Sequence, residues 1–217
     1  MSTNAQAQTQ AQTQTQTDAE DDDAQRYQRQ EAVRALASEI NAAKYEFQEA
    51  DGDREPSFQA LPSGIGANRV LFSGTLTDVE DVGNDTEYLK AEIIGATGTV
   101  YAYAGDYSQE ARAFLRNAEA PMFVTICGKL NWFAEDDDES PVADRNVYID
   151  PEWAVKTDAD DRDRAVLEAA EATLDRLEAD TDPNLEQVID VVYGEDEDVQ
   201  DLDLRDEVVR ALENLED

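Results

Sequence analysis

Two tyrosines stand two residues apart at Tyr101 and Tyr103, and a tyrosine and a lysine stand two apart at Tyr88 and Lys90. In an extended chain, side chains at that spacing point the same way. The set offers flat π faces with an ammonium group beside them. That is chemistry for stacking a flat ligand and steadying its anionic part, not for breaking bonds. Bond-breaking chemistry lacks its usual players. There is no histidine, and the one cysteine, Cys127, lies in the apolar run from Met122 to Gly128, where a thiol is a small buried hydrophobe. One cysteine allows no disulfide within the chain and no cysteine-based zinc site. No Gly-rich phosphate loop is present. Carboxylates abound, yet none stands singly in an apolar run, where burial would raise its pKa. Acidic runs such as Asp136 to Glu139 read as solvated surface rather than as a metal site. Neither an enzyme nor a cofactor is expected.

The rings need strands to present them. Leu89, Ala91 and Ile93 alternate with Tyr88, Lys90 and Glu92, and Val100, Ala102 and Ala104 alternate with Tyr101 and Tyr103. Period-two alternation is the mark of a half-buried strand, and Ala96-Thr97-Gly98 between the runs makes a hairpin. A strand from Arg69 to Val79 precedes it, with Val70, Phe72 and Leu76 on one face and a bulge or bend suggested at Gly74. After the hairpin, Ser108 to Asn117 reads as a short helix anchored by Phe114 and Leu115. A strand then begins at Pro121 and runs out to Phe133, with a bend at Gly128, and Asn146 to Lys156 gives a last one, with Val147, Ile149, Trp153 and Val155 on one face. Three strands, a helix, then two strands in residues 69–157 is the order of a five-stranded OB-fold barrel. A sandwich would need about seven strands and gives no reason for the helix.

Strand parity brings Tyr88, Lys90, Tyr101 and Tyr103 to one surface. Lys129 and Phe133 are at the outer parity of the fourth strand and Tyr148 at that of the fifth, while Arg69 and Arg145 flank the barrel. These nine are the candidate single-strand-binding residues. Trp132 and Trp153 share parity with the core. Tyr101 and Tyr103 could instead pack beneath an N-terminal helix.

The fold class is thus mainly β, a barrel flanked by α-helices. Residues 1–23 are Gln/Thr-rich and then acidic, and are expected to be disordered. Residues 24–68 read as a helix from Ala24 to Ala43, with Val33, Leu36, Ala37 and Ile40 as its apolar stripe, followed by an extended arm. Residues 158–180 read as a helix whose Leu167, Ala170, Leu174 and Leu177 recur at a/d spacing. Such a seam fits a partner helix, or the chain's own barrel, with Val166, Ala169 and Thr173 offering a wider stripe. Residues 181–217 form an acidic helical segment, with apolar residues at Leu185, Val188, Ile189 and Val192 and again at Val208, Leu212 and Leu215. The formal net charge is -35, and lysine occurs only at Lys44, Lys90, Lys129 and Lys156. The strand-like runs hold too many aromatic residues for an acidic disordered chain. A folded protein of a halophilic cytoplasm fits, where salt shortens the reach of self-repulsion to about 3 Å at 1 M. No apolar run approaches the length of a membrane span.

In order and spacing, several segments resemble one family. They are Ala37-Ser38-Glu39-Ile40-Asn41-Ala42-Ala43, Leu61-Pro62-Ser63-Gly64, Asn68 to Phe72, Gly74-Thr75-Leu76-Thr77-Asp78-Val79-Glu80, Ala96-Thr97-Gly98, Val100 to Tyr107, Gly128-Lys129 and Ala169 to Leu177. The chain from about Glu31 to Leu177 is similar to haloarchaeal replication protein A-associated proteins, relatives of the middle subunit of replication protein A. The resemblance implies an OB-fold subunit of a single-stranded DNA-binding complex in replication, repair and recombination, in an archaeal, nucleoid-associated setting. It also implies that a helix after the barrel assembles with a large subunit. Two readings follow: a subunit that contacts single-stranded DNA, and an assembly subunit whose barrel and helix only hold protein partners. The tyrosine surface favours the first; the charge and the helical seam favour the second.

Overall fold

The computed structural model describes residues 31–48, 56–134, 142–180 and 202–215, with Leu185 and Ile189. Its elements in chain order are β1 (Val33–Arg34), α1 (Ala37–Asn41), β2 (Glu46–Gln48), β3 (Ser57–Leu61), β4 (Ile65–Ala67), β5 (Arg69–Asp81), β6 (Leu89–Gly95), β7 (Gly98–Ala104), α2 (Gln109–Arg116), β8 (Met122–Phe133), β9 (Asn146–Lys156), α3 (Ala159–Glu178) and α4 (Leu204–Glu213). The strands of the larger sheet run β1-β5-β6-β7-β9-β8, and β5 also pairs with β8. That last pairing closes β5 to β9 into a barrel. β7 and β9 are joined in parallel at Ala102 and Ile149, and the other barrel pairings are antiparallel. This is the five-stranded OB-fold the alternation predicts, with α2 between the third and fourth barrel strands.

The interior follows from residue size. Ala91, Ala102 and Ala104 fill the narrow part of the barrel, against Leu76, Ile93, Val100, Ile126 and Ile149, all fully buried. Leu115 of α2 enters the same core and is 2% exposed. A buried leucine stabilises by about 1.5–3 kcal/mol relative to an exposed one, so α2 is a plug fixed by its own side chain. Gly74 stands where a Cβ would lie 2.5 Å from the Ile94 carbonyl oxygen. It serves a close backbone approach; the irregularity expected there falls between Leu76 and Asp78 instead. The bend at Gly128 is present, as a register shift between Cys127 and Gly128.

That shift corrects the reading of β9. Cys127 faces Trp153 while Gly128 faces Pro151, so Glu152 is the extra residue of a bulge. A bulge flips the side-chain parity beyond it. Val147, Ile149 and Pro151 point inward before it and Ala154 after it, while Trp153 is half-buried and Val155 is 47% exposed.

The N-terminal helix is also shorter than the expected span from Ala24 to Ala43. Among the described residues it covers only Ala37–Asn41, and Val33–Arg34 is a strand parallel to Val70–Leu71. β5 does not meet β6 until Thr75, so its edge near Val70 is open to another strand, and that pairing overrides the local helical period. Leu36, Ala37 and Ile40 are buried nonetheless. The extended arm is in fact a second, antiparallel sheet of order β2-β3-β4. Leu185 and Ile189 are helical, and both pack beside Tyr45, Phe47 and Ala60. The expectations for residues 1–30, the acidic run Asp136 to Glu139, and Val188 and Val192 lie outside the described residues.

The helix after the barrel turns its wider stripe inward. Val166, Ala169 and Ala170 of α3 are buried with Leu36 and with Val208 and Ala211 of α4, and Leu174 and Leu215 pack against the same cluster. Of the predicted seam, Ala170 and Leu174 are therefore engaged within the chain, Leu177 is half-buried and Leu167 is 50% exposed. A buried polar knot fastens this end. Glu39 is fully buried, and both its oxygens accept from Arg176, at 3.0 and 2.9 Å. Thr173 Oγ1 donates to Glu39 Oε2 at 3.0 Å, and the Ser63 hydroxyl donates to Glu39 Oε1. The knot ties α1 and α3 to the β3–β4 turn.

Candidate nucleic-acid interface

The outer face of the barrel carries the rings. Tyr103 is the hub. Its ring stacks on Tyr88 at 5.8 Å between centroids, meets Tyr148 edge-on at 5.1 Å and meets Phe133 edge-on at 6.2 Å. Phe133 and Tyr148 are 6.0 Å apart. Four residues predicted from strand parity on four different strands or strand ends thus form one cluster. Aromatic pairs in such geometries contribute about 0.5–1.5 kcal/mol each beyond their burial, which fixes the rings before any ligand arrives. The cluster is not sealed: Tyr88 is 37% and Phe133 45% exposed. Tyr101 lies one step along β7, with the Lys90 ammonium 4.7 Å over its ring. Lys129 is exposed on β8, across from Asp150 of β9. The alternative packing of Tyr103 under the N-terminal helix is not what forms. That helix sits over the other end of β7, where Ser38 bonds to Thr97 and Asn41 to the Thr99 carbonyl.

Local chemistry sets these rings in place. Asp81 Oδ1 accepts from the backbone N–H groups of Gly83 and Tyr88, at 3.0 and 3.1 Å, pinning the loop that delivers Tyr88. Those two bonds hold the Asp81 carboxyl below its usual pKa. A Cβ on Gly105 would lie 2.9 Å from the Tyr88 ring, so glycine there leaves the ring its seat. Glu87 sits below its usual pKa, chiefly because Arg116 of α2 donates to it. Burial, with smaller contributions from Tyr88, Asp150 and Tyr103, pushes the Tyr148 phenol up to about 12. Burial also raises Tyr88, helped by Asp150 and Tyr103. Both rings therefore stay neutral, hence able to stack beside phosphates, far into alkaline solution.

The two arginines expected to flank the barrel as single-strand-binding residues are engaged within the fold. The Arg69 side chain is 7% exposed and makes a two-point ion pair with Glu152, the bulge residue of β9. The Arg145 guanidinium lies 3.8 Å over the Trp132 ring and donates to the Lys44 carbonyl at 3.2 Å. Trp132 in turn donates to Glu46 at 2.8 Å, so this set clamps the small sheet to the barrel. One ring escaped the parity argument. Tyr107, in the turn between β7 and α2, is fully exposed. Its signal in the sequence is a large aromatic residue at the end of an alternating run, just past Gly105-Asp106. At the far end of the β6–β7 hairpin, a cleft of about 410 Å³ lies between Thr75, Ile94, Gly98, Arg162 and Arg210. Arg210 there bonds to the Thr97 carbonyl, and Arg162 covers Phe123.

No family model and no curated protein matches the sequence. Several solved structures are similar in part. An asparaginyl-tRNA synthetase from Entamoeba histolytica is 18% identical, with a TM-score of 0.31, over 41% of this chain; the match spans 20% of the synthetase. The N-terminal domain of PriB from Thermoanaerobacter tencongensis is 12% identical over 42% of this chain and 97% of its own, with a TM-score of 0.31. A small single-stranded DNA-binding protein from Streptomyces coelicolor is 14% identical over 45% of this chain and 95% of its own, with a TM-score of 0.30. The OB assignment itself rests on the strand order and register. No helix among the described residues is long and apolar enough to cross a membrane.

Proposed function

We propose that this chain binds single-stranded DNA on the outer face of its barrel, as an OB-fold subunit of a replication protein A-like complex that acts in replication, repair and recombination. The observation that carries the binding reading is the four-ring cluster of Tyr88, Tyr103, Phe133 and Tyr148. It lies between the loop after the first barrel strand and the loop before the last, the place where OB barrels take oligonucleotides. Unstacked bases gain about 1–3 kcal/mol each on such rings, with little regard to sequence. The cations within this set are Lys90 and Lys129, and the chain's formal net charge is -35. Phosphate attraction therefore contributes little. Two phosphate contacts give a salt slope of about −1.4 for a single strand, and repulsion from the acidic surface flattens it further. The test is a fluorescence titration with a short oligothymidine across a KCl series. We expect binding whose log K falls with log salt no more steeply than about −1.4, and no comparable affinity for duplex DNA. A steep slope, or equal duplex affinity, contradicts a stacking site.

The acidic surface also favours the second reading, in which the barrel contacts protein alone. Both readings need a partner-facing helix, and the resemblance assigns one after the barrel. With Ala170 and Leu174 used within the chain, the large apolar residues left exposed on α3 and α4 are Leu167, Val209 and Leu212, at 50%, 53% and 37%. Leu167→Asp should weaken co-elution with a large single-strand-binding subunit and leave the melting curve of the isolated chain unchanged. Unimpaired co-elution would remove Leu167 from the assembly surface.

A further inference from the structure

Asp150 stands among the rings, and stacking gives it no task. It is on β9 two residues from Tyr148, at the same outward parity, and opposite Lys129 of β8. It is half-buried, and its Oδ1 accepts from Ser108 Oγ at 2.7 Å. Ser108 is itself buried, at 5% exposure, and its N–H is tied to the Gly105 carbonyl at 3.2 Å. A buried hydroxyl on a fixed turn thus orients the carboxylate. No cation among the described residues comes within ion-pair distance of it. Its charge reaches the phenols of Tyr88 and Tyr148. Such a group opposes phosphate binding and adds nothing to stacking.

We infer that Asp150 makes this site selective for bases whose edges present hydrogen-bond donors, guanine first. The inference rests on the single-strand-binding reading above. An ionised carboxylate has acceptors only, two oxygens with about four lone-pair sites. Oδ1 keeps a lone pair after its bond from Ser108, so both oxygens can accept from a base. Guanine presents N1–H and N2–H side by side, a match for two oxygens. Cytosine and adenine each present one exocyclic amine on that edge. Thymine presents a single N3–H between two carbonyl oxygens, which face the carboxylate unfavourably. Stacking on Tyr103 and Tyr88 would hold the base; Asp150 would read its edge. Carboxylates read the cytosine amine in duplex DNA by the same logic.

The full chain is titrated at constant KCl with a short oligothymidine and with the same strand carrying one central guanine or one central inosine. The guanine strand should bind about fivefold or more tightly than oligothymidine, the lower end of what a two-point base contact gives. Inosine, which lacks the amine, should lose most of that gain. In Asp150→Asn, which keeps an oxygen for Ser108, the guanine-to-thymine ratio should fall close to one, with the fold checked by a melting curve. Equal affinities for the three strands, or an unchanged ratio in Asp150→Asn, overturn the inference and leave binding itself standing. The comparison of guanine with inosine in the unaltered chain decides the matter if the variant fails to fold. Absence of binding to every strand overturns the inference and the binding reading together.

Discussion

Replacing Tyr103 and Tyr148 together with alanine is expected to weaken binding to a short single strand by about thirtyfold or more. The figure follows from two stacking platforms at about 1–3 kcal/mol per base, with 1.4 kcal/mol to each factor of ten. The effect should be larger than for any other pair, because Tyr103 touches all three remaining rings and Tyr148 touches two. Removing them strips the platform and also frees Tyr88 and Phe133 to move. Both side chains lie outside the barrel core, so the variant should fold, with a modest loss of stability from the lost ring pairs. Tyr103→Phe keeps the π face and should bind nearly as the parent does. Titration of all three proteins with one oligothymidine, alongside circular-dichroism melts, separates loss of stacking from loss of fold. A folded double variant with parental affinity would show that these rings do not bind bases.

The second large effect concerns stability. Arg176→Met should destabilise the fold by about 3–5 kcal/mol, the usual result when a buried ion pair loses one member. Glu39 is fully buried, so its charge would be left without a cation and in the company of two hydroxyls, Ser63 and Thr173. Replacing both members, Glu39→Leu with Arg176→Met, should cost much less than the single change, since no charge remains in the apolar site. Urea denaturation at fixed KCl measures both differences from the parent. A loss below about 1 kcal/mol in Arg176→Met would place the pair in the class of exposed ion pairs and would contradict its role as the fastening between α1, α3 and the β3–β4 turn.

These two sites differ in how far the sequence revealed them. The cluster was legible because a strand's period of two is rigid: once Val100, Ala102 and Ala104 are inside, Tyr101 and Tyr103 must be outside. The same rule put Lys129, Phe133 and Tyr148 outward. It failed where the period breaks. The bulge at Glu152 turns Trp153 and Val155 away from the core face that strict alternation assigned them. Pro151 beside it is a local mark, since proline within a sheet falls at edges or bulges, but the partner of the bulged Glu152 is Arg69, 83 positions away. Arg69 and Arg145 were misplaced for a related reason. A cation's role is set by its partner, and Glu152 and the Trp132 ring are fixed by tertiary structure alone. Length also matters. β2 and β4 have three residues each, too few for a period to register, so the small sheet read as an arm. The a/d seam of α3 was real as a pattern, but a pattern does not name its partner, and α4 of the same chain takes part of it.

The most direct test of base binding at this face is an aromatic ¹H–¹³C correlation spectrum of the full chain, titrated with an unlabelled short oligothymidine in molar KCl. Bases stacked on the cluster must move the ring signals of Tyr88, Tyr103, Phe133 and Tyr148 together, upfield and with one common dissociation constant. In a methyl correlation spectrum recorded alongside, the signals of Ile94 and Val208, at the end fastened by α3 and α4, should stay where they are. Ring signals that do not move while the strand binds, or shifts confined to the cleft at Ile94, Arg162 and Arg210, would contradict the assignment of the barrel face as the DNA site.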